Sequence, residues 1–448
     1  MLWSPSARYT WYVAALLTLA NISANVDTFV LSLLVDPIKR DLGVTDVQIS
    51  YLQGLAFAIF FSLLALPIAR WADRMSRRNI LAIGIALWSV FTVLCAASHT
   101  FGHLFLARLG VGVGEATLIA PGISLLADYF PVEKRGRAMS LTSLGIFLGA
   151  GIAYVIGGWV AGLLSVNDVW HVPLIGAIHP WQSVFLVVGL PGIPLALLFL
   201  TIQEPPRDLR PEDRRPLSDV IRYVGEHART FATQSLGFGF SSLVNFGIAA
   251  WLAVFLMRTY GFTRAQAGQV QGFLTMTIGT AAIVIGGWIA DWYVRRGRID
   301  GPLRVGIIGA LGMLVAGTAY PLMPSATLAI VWLAVVNFFA ALPWGAASAA
   351  AAEITPVALR AQGAAVYFLV VNLVARSLGP TSVAWLTERV FHDPLAVGRS
   401  LAIVNAAGMI AAILLLSAGL GSYRRTVTRR MEMERASSLP MDTVIKTA

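Results

Sequence analysis

The sequence predicts an all-α membrane protein with twelve transmembrane helices arranged in two pseudo-symmetric bundles of six. The first observation is composition: 57% of the 448 residues are apolar, only 12% are charged, and the mean hydropathy is +0.73. Soluble domains carry roughly 25% charged residues, so water is not the solvent for most of this surface. The second observation is a series of long apolar runs, and the third is a pair of loop motifs that occurs once in each half.

The apolar runs have the length and pattern of transmembrane helices. A hydrocarbon core of ~30 Å is crossed by about 20 helical residues. The runs are continuous and do not alternate every second residue, which argues against a β-barrel. The first run is too long for a cleaved signal peptide, so we interpret it as a span. We number the predicted spans 1 to 12, at 11–35, 48–72, 79–99, 101–127, 138–164, 181–201, 233–258, 266–292, 303–323, 326–352, 361–386 and 398–420.

The distribution of basic residues predicts the orientation. If both termini are cytoplasmic, most of the 33 Lys and Arg residues fall in cytoplasmic loops or tails. The positive-inside rule favours that arrangement, in the plasma (inner) membrane if the source is bacterial. The net charge of +10 is then explained by contact with lipid head groups, and we expect no binding to nucleic acid.

A Pro-rich, charged stretch divides the chain in two. We predict an N-terminal six-helix bundle at 1–202 and a cytoplasmic linker with an amphipathic helix at 203–232. A C-terminal six-helix bundle follows at 233–420, with a basic cytoplasmic tail at 421–448.

The two halves share charged motifs in the same order. An acid, Pro, Val and Arg follow span 4 and recur after span 10, while Trp or Ile, Ala, Asp and Arg follow span 2 and recur after span 8. Two such matches indicate a duplicated unit, and parallel repeats place a binding site near mid-bilayer at their interface. The acidic and basic positions of these motifs are Asp73, Arg77, Asp128, Arg135, Asp291, Arg295, Glu353 and Arg360.

Two segments of the N-terminal half carry a family resemblance. The loop A-R-W-A-D-R-M-S-R-R at 69–78 resembles the loop signature of the major facilitator superfamily, with two of its glycines replaced. The segment R-L-G-V-G-V-G-E-A-T-L-I-A-P at 108–121 resembles spinster-type lipid carriers within that superfamily. The resemblance implies a secondary transporter working by alternating access, with an amphiphilic substrate such as a lysolipid or sphingoid phosphate. In span 1, Asp27 is followed by Thr28, where spinster proteins usually have Arg, so the substrate stays open.

Ionisable residues inside the spans are the candidate coupling site. A charged group at mid-bilayer costs roughly 2.5–3.5 kcal/mol on insertion scales, so it normally has a partner and a function. Arg108 and Glu115 lie two helical turns apart on one face of span 4, with Gly112 between them. If spans 1 and 4 flank one cavity, Asp27 converges with them. The hypothesis is a proton switch in which Arg108 pairs alternately with the two acids; the alternative is a fixed ion pair that joins the helices.

Polar side chains on other spans are candidate cavity residues. Arg376 suits an anionic head group, because a guanidinium binds phosphate or carboxylate bidentately; the alternative is an Arg that snorkels or bonds to backbone carbonyls. Amides at bundle interfaces often join helices instead of binding ligands. The predicted cavity residues are Asn21, Asn25, Gly112, Asn245, Asn337, Tyr367, Asn372 and Arg376.

The repeated loop charges are candidate gate residues. We predict that Asp73, Arg77, Asp128 and Arg135, and their repeats Asp291, Arg295, Glu353 and Arg360, hold the two halves together when the cavity faces outward. The alternative is that these Arg residues only fix the topology.

Motifs for other functions are missing from the sequence. It contains no phosphate-binding G-x-x-x-x-G-K-[ST] loop, no HExxH and no GxSxG, and its single cysteine excludes an intrachain disulfide. We therefore expect no enzyme activity, no cofactor and no metal. The predicted function is proton-coupled transport of an amphiphilic or anionic small molecule by a monomer in the lipid bilayer. A drug exporter or an organic-anion or sugar symporter is the alternative, and a membrane-embedded enzyme or a channel is less favoured.

Overall fold

The computed structural model describes residues 5–72, 74–130, 132–163, 170–172, 176–206, 217–356 and 359–438. Within them the chain is almost entirely helical, apart from one short hairpin.

The described part of the N-terminal half contains ten α-helices and the hairpin. Their bounds are α1 Ala7–Phe29, α2 Val35–Leu42, α3 Asp46–Ser50, α4 Ala56–Ala72, α5 Arg77–Ala96, α6 Phe101–Glu115, α7 Ile119–Tyr129, α8 Val132–Leu163, β1 Trp170–Val172, β2 Gly176–Ile178, α9 Pro180–Gly189 and α10 Gly192–Phe199. The strands are antiparallel, with Trp170 opposite Ile178.

The described residues of the linker and the C-terminal half form nine more α-helices. Their bounds are α11 Leu217–Glu226, α12 Ala228–Tyr260, α13 Arg264–Leu274, α14 Thr280–Arg295, α15 Gly301–Ala319, α16 Ala326–Ala341, α17 Trp344–Glu353, α18 Arg360–Trp385 and α19 Val397–Ser438.

Eleven helical segments of the described chain are long and apolar enough to cross a bilayer. They are spans 1–4 and 6–12 of the sequence prediction. Span 5 lies in α8, whose 32 residues exceed the length needed for a crossing and include the apolar stretch Gly145–Val160. The chain is therefore an integral, multi-pass membrane protein, and the predicted fold class is confirmed.

Hydroxyl caps begin several spans. Thr100 precedes span 4, and its side chain accepts a hydrogen bond from the His103 amide. Thr263 begins span 8 with a capping box that includes Gln266. Because these caps satisfy amides that the first helical turn leaves unpaired, they fix where each span starts and so the depth of the residues that follow.

Corresponding spans of the two halves share two kinds of irregularity. Spans 2 and 8 each contain a π-helical turn, at Tyr51–Leu55 and Thr275–Gly279. Spans 4 and 10 are each broken, after Glu115 and after Ala341. Prolines follow both breaks, and a proline removes a helical hydrogen bond. These shared irregularities support a duplicated six-helix unit, with Glu115 placed at one of them.

The polar contacts between the two bundles lie on one side of the membrane. We call the side on which spans 1 and 7 begin the Arg-rich side. Between residues whose side chains are described, every hydrogen bond and ion pair joining the bundles lies in the opposite half of the membrane. They are Asp36–Arg258, Asp46–Arg258, Val47–Glu388, Ser50–Thr381, Gln53–Ala250 and Tyr154–Ala249.

The last helix is longer than the sequence predicts. Span 12 was expected to end at residue 420, but α19 continues to Ser438. The extension has no proline, carries an i,i+4 pair between Arg430 and Glu434, and buries Tyr423 against the C-terminal bundle. No structural break therefore separates bundle from tail at residue 421.

Two adjacent glycines of span 8 test the packing. A Cβ on Gly286 would lie 1.9 Å from the Leu342 carbonyl oxygen, at the break in span 10, whereas a Cβ on Gly287 would meet nothing within 4 Å. We expect Gly286→Ala to destabilise the protein by about 1–3 kcal/mol through overpacking. Gly287→Ala should be neutral or slightly stabilising, since Ala favours a helix over Gly. Thermal unfolding in detergent checks both; equal melting temperatures for the two variants would contradict this packing.

Candidate functional site

A cluster of charges lies at the centre of the N-terminal bundle. Asp27 of span 1 is 1% exposed, and Arg108 and Glu115 of span 4 are 0% and 6% exposed. The Arg108 guanidinium donates a hydrogen bond from Nη1 to the backbone oxygen of Asp27 over 3.1 Å. Glu115 interacts electrostatically with both. The sequence hypothesis that these three residues converge therefore agrees with the geometry, while their role in coupling stays a prediction.

None of the three forms an ion pair with another described residue. Both carboxylate oxygens of Asp27, Nε and Nη2 of Arg108, and Oε1 of Glu115 are enclosed and have no hydrogen-bond partner among the described residues. Unpaired polar atoms buried in this way cost free energy. Arg108 is thus not committed to either acid, which is the arrangement a switch requires and a fixed ion pair does not have.

Arg376 of span 11 brings a fourth charge to this cluster from the other bundle. It interacts electrostatically with Glu115 and Arg108. Its guanidinium carbon lies 4.3 Å from the ring centroid of Phe57 and 4.6 Å from that of Phe246. A Cβ on Gly54 would lie 1.8 Å from the Arg376 carbonyl oxygen, so spans 2 and 11 cross there at backbone contact. The sequence placed Arg376 in the cavity but gave no reason to join it to Glu115.

Gly112 provides the space in which the backbone of Phe57 packs on span 4. A Cβ at this position would lie 2.8 Å from the Phe57 carbonyl oxygen. Because Gly112 has no Cβ, span 2 packs directly on the face of span 4 that carries Arg108 and Glu115. Gly112 therefore acts through packing in this conformation, and its cavity role stays a prediction.

The predicted cavity amides are half-buried and bond within or between helices. Asn21 and Asn25 each donate to the carbonyl four residues earlier, and they pack on Gly145 and Gly149 of span 5. Asn245 donates to Ala340 over 3.5 Å. These contacts join helices, yet leave the side chains partly accessible, so lining a cavity stays a prediction for each.

The other cavity candidates lie on spans 10 and 11. Asn337 accepts a hydrogen bond from Thr275 of span 8, and Asn372 donates to the Phe368 carbonyl within its own helix. Tyr367 is 4% exposed and packs in an apolar core with Phe238. The structure thus places Tyr367 among core residues of the C-terminal bundle, and nothing in its contacts supports a lining role.

Arg77 is the centre of a network on the Arg-rich side. It is 2% exposed and donates to Asp128 over 2.5 Å, to Ser124 over 2.9 Å and to Glu204 over 2.8 Å. Glu204, which follows span 6, was missed by sequence reasoning; its one signal is an acid next to a proline pair at the predicted membrane boundary. All four residues belong to the N-terminal half, so these contacts join spans 3, 4 and 6 within one bundle.

Several predicted gate residues cannot be compared with this network. Asp73 lies outside the described residues, as do the side chains of Arg135 and Arg360.

The described gate residues of the second half do not repeat the network. Asp291 and Arg295 are exposed and form no ion pair within the described chain, while Glu353 accepts a hydrogen bond from Tyr423 over 2.6 Å. The buried centre of an ionic network in the second half is instead Asp300, which is 0% exposed and pairs with Arg304 and Arg424. The gate role of the repeated motifs stays a prediction.

A second ionic cluster, which we call the opposite-side latch, consists of Asp36, Lys39, Asp46 and Arg258. Arg258 ends span 7 and donates to Asp36 over 2.7 Å and to Asp46 over 3.2 Å. Lys39 donates to Asp46 over 2.6 Å. Asp46 is 4% exposed, so this is a buried contact between the two bundles. From the sequence, Lys39 and Arg258 have only a topological meaning, because their pairing depends on the fold.

Comparisons with known proteins agree with this architecture. A family model described as Major Facilitator Superfamily matches residues 17–380. The chain is 26% identical to an MFS-type efflux pump of Mycolicibacterium smegmatis, over 94% of this chain and 95% of the pump. It is 25% identical to Protein spinster of Drosophila melanogaster, over 73% of this chain and 52% of that protein.

A solved structure is also similar over nearly the whole chain. It is a bacterial homologue of the human lysosomal transporter Spinster in an inward-facing, unoccupied conformation, with a TM-score of 0.78 and 27% identity. The match covers 95% of this chain and 99% of that one. The predicted resemblance to spinster-type proteins is therefore confirmed.

The network around Arg77 predicts a dependence of stability on pH. Burial raises the pKa of Glu204, but hydrogen bonds from the Arg78 amide, the Arg77 guanidinium and the Ser76 hydroxyl outweigh it and lower that pKa below its ordinary value. A carboxyl with a lowered folded-state pKa stabilises the fold fully above its unfolded-state pKa, about 4.3, and this contribution is lost as the pH falls from there through the lowered folded-state pKa. We expect Glu204→Gln to lower the melting temperature at pH 7 and to reduce its fall between pH 5 and 3.5. Parallel curves for variant and wild type would show that Glu204 does not contribute.

The opposite-side latch predicts a shift in conformation. We expect Arg258→Met to raise the labelling rate of Ser50→Cys, a residue with 0% exposure at the bundle contact, by about tenfold. The assay uses a membrane-impermeant maleimide with Cys95 replaced by Ala. Arg399→Met is the control, because Arg399 is an exposed Arg on the same side. An unchanged rate in Arg258→Met would mean that the latch does not hold this side closed.

Proposed function

The chain belongs to the Major Facilitator Superfamily, and on that premise we propose that it is a proton-coupled secondary transporter. It moves an amphiphilic or anionic small molecule by alternating access. The observation that carries the proposal is the enclosed, unpaired group of Asp27, Arg108 and Glu115 in the middle of the membrane. Charges there are costly, and their lack of fixed partners favours a changing role over a structural one.

The conformation supports alternating access. The bundles are joined through the opposite-side latch, and between the described side chains no hydrogen bond or ion pair joins them on the Arg-rich side. By the positive-inside rule the Arg-rich side and both termini are cytoplasmic. We infer an inward-open state, which is also the conformation of the similar bacterial spinster homologue. Reaching the outward-open state requires breaking the latch and bringing the cytoplasmic ends together, where Asp128 is a proposed gate residue that Arg77 holds in place.

The proposed proton step follows from the position of Arg108. A guanidinium favours the ionised form of whichever acid it approaches, and desolvation favours the neutral form of the other. Movement of Arg108 from the Asp27 carbonyl towards Glu115 therefore changes which acid holds a proton. Because spans 1 and 4 both contribute, such a movement couples protonation to the arrangement of the bundle.

A drug exporter is the second candidate. The efflux pump of M. smegmatis matches the chain over almost its whole length. In an exporter, the same charged centre would couple the entry of protons to the exit of the substrate. Measuring substrate uptake in proteoliposomes that hold the protein in one orientation or the other distinguishes the exporter from the importer.

Proton coupling predicts a defined effect of neutralising the acids. Proteoliposomes with a trapped pH dye are presented with a lysolipid, a sugar acid, a sugar and a hydrophobic drug. We expect one class to change the internal pH with wild-type protein. Asp27→Asn and Glu115→Gln should each reduce that change at least about tenfold. Glu432→Gln, in the exposed tail, is the control. Wild-type proton flux in both variants would contradict the proposal, as would no proton flux with any class.

A further inference from the structure

Arg376 has the surroundings of a binding subsite. It is the charged residue that the C-terminal bundle contributes to the central cluster within the described chain. Its guanidinium lies among the rings of Phe57, Phe61 and Phe246, at 4.3, 5.8 and 4.6 Å from their centroids. Aromatic rings contact the flat faces of the guanidinium but cannot accept the hydrogen bonds of its N–H groups, which point outward in its plane.

Those N–H groups are not satisfied by the described protein. Nε and Nη1 of Arg376 are enclosed without a hydrogen-bond partner, and no oxygen of Glu115 is within ion-pair distance. Nη2 of Arg376 and Oε2 of Glu115 have no partner either but are not enclosed, so each opens onto accessible space. An arginine that only snorkelled or capped a helix would bond to carbonyl oxygens, and this one does not.

Glu115 and Arg376 face each other across the interface between the bundles. The described charges that act on Glu115 are Asp27, Arg108 and Arg376, and those that act on Arg376 are Glu115 and Arg108. When ionised, Glu115 neutralises Arg376 and repels an incoming anion. When protonated, it leaves Arg376 with a net positive charge, to which a carboxylate, sulfonate or phosphate binds in charge-assisted hydrogen bonds.

We propose that Arg376 binds the anionic group of an amphiphilic substrate, that the apolar part lies on the rings of Phe57, Phe61 and Phe246, and that Glu115 controls this subsite by its protonation. This rests on the proposed transport function and specifies its substrate class. The proton taken up by Glu115 and the anion bound by Arg376 occupy the interface together, so both travel in the same direction. Arg376 is a binding residue, and Glu115 is a positioning residue that acts through it.

The test uses a probe whose charge does not change with pH. N-oleoyltaurine carries a sulfonate, N-oleoylethanolamide is its neutral counterpart, and isethionate is the sulfonate without the apolar chain. Binding to purified full-length protein is measured by calorimetry between pH 5.5 and 8. We expect wild-type protein to bind N-oleoyltaurine at least tenfold more tightly than either counterpart. Its affinity should increase as the pH falls, with about one proton taken up per anion.

Variants separate the two residues. Arg376→Gln should weaken binding of N-oleoyltaurine at least tenfold, and Arg376→Lys, which keeps the charge, should weaken it less. Glu115→Gln should bind tightly at every pH and take up no proton. Arg399→Gln, an exposed arginine on another helix, is the control and should match the wild type.

Three results would overturn the proposal: equal binding of N-oleoyltaurine and N-oleoylethanolamide, wild-type affinity in Arg376→Gln, or unchanged pH dependence in Glu115→Gln. Should Arg376→Gln fail to fold, the Arg376→Lys and Glu115→Gln results decide. If one of these three results is found while Asp27→Asn still loses proton flux in proteoliposomes, the transport function stands and only the proposed subsite is removed.

Discussion

The cost of placing charge in hydrocarbon is the constraint on which the rest of the structure depends. Four ionisable side chains, Asp27, Arg108, Glu115 and Arg376, lie in the middle of the membrane, and no two of them form a direct ion pair. The protein tolerates them by collecting them at one point, where the acids and the guanidinium groups act on one another. Backbone contacts at Gly54 and Gly112 hold that point at the crossing of spans 2, 4 and 11.

This position ties the interactions of these charges to the conformation. Three of the charges belong to one bundle and Arg376 belongs to the other, so any movement of the bundles changes the distances between them. The opposite-side latch fixes the present arrangement through Arg258, which reaches Asp36 and Asp46 of the other half. Proton binding at the centre and opening at the ends are therefore linked, because both act on the same interface.

Much of the fold could be predicted from the sequence because hydrocarbon imposes a simple rule on length and polarity. The twelve spans and the linker helix follow from it. The sequence prediction ended span 12 too early. The part of α19 after residue 420 is stabilised by the packing of Tyr423 and Val427, which a hydropathy pattern does not reveal. The convergence of Asp27, Arg108 and Glu115 was predicted from helical spacing and family resemblance.

Other contacts depend on tertiary structure and leave no pattern in the sequence. Arg258 with Asp36, Arg77 with Glu204, and Arg376 with Phe246 join residues more than a hundred positions apart. The repeat in the loops suggested that gate residues would be equivalent in both halves. However, Arg77 is buried in a network, while Asp291 and Arg295 are exposed, because the first repeat has Glu204 beside its motif.

The most direct test of the central claim is to measure whether the protonation state of the charged centre decides which side of the protein is open. Spin labels at Asn79 and Arg298 on the Arg-rich side, and at His103 and Arg399 on the other, report the two openings by electron–electron distance measurements in lipid nanodiscs. The account predicts two distance populations whose ratio changes between pH 5.5 and 8 in the wild type and is independent of pH in a variant carrying both Asp27→Asn and Glu115→Gln. An identical pH response in that variant would contradict it.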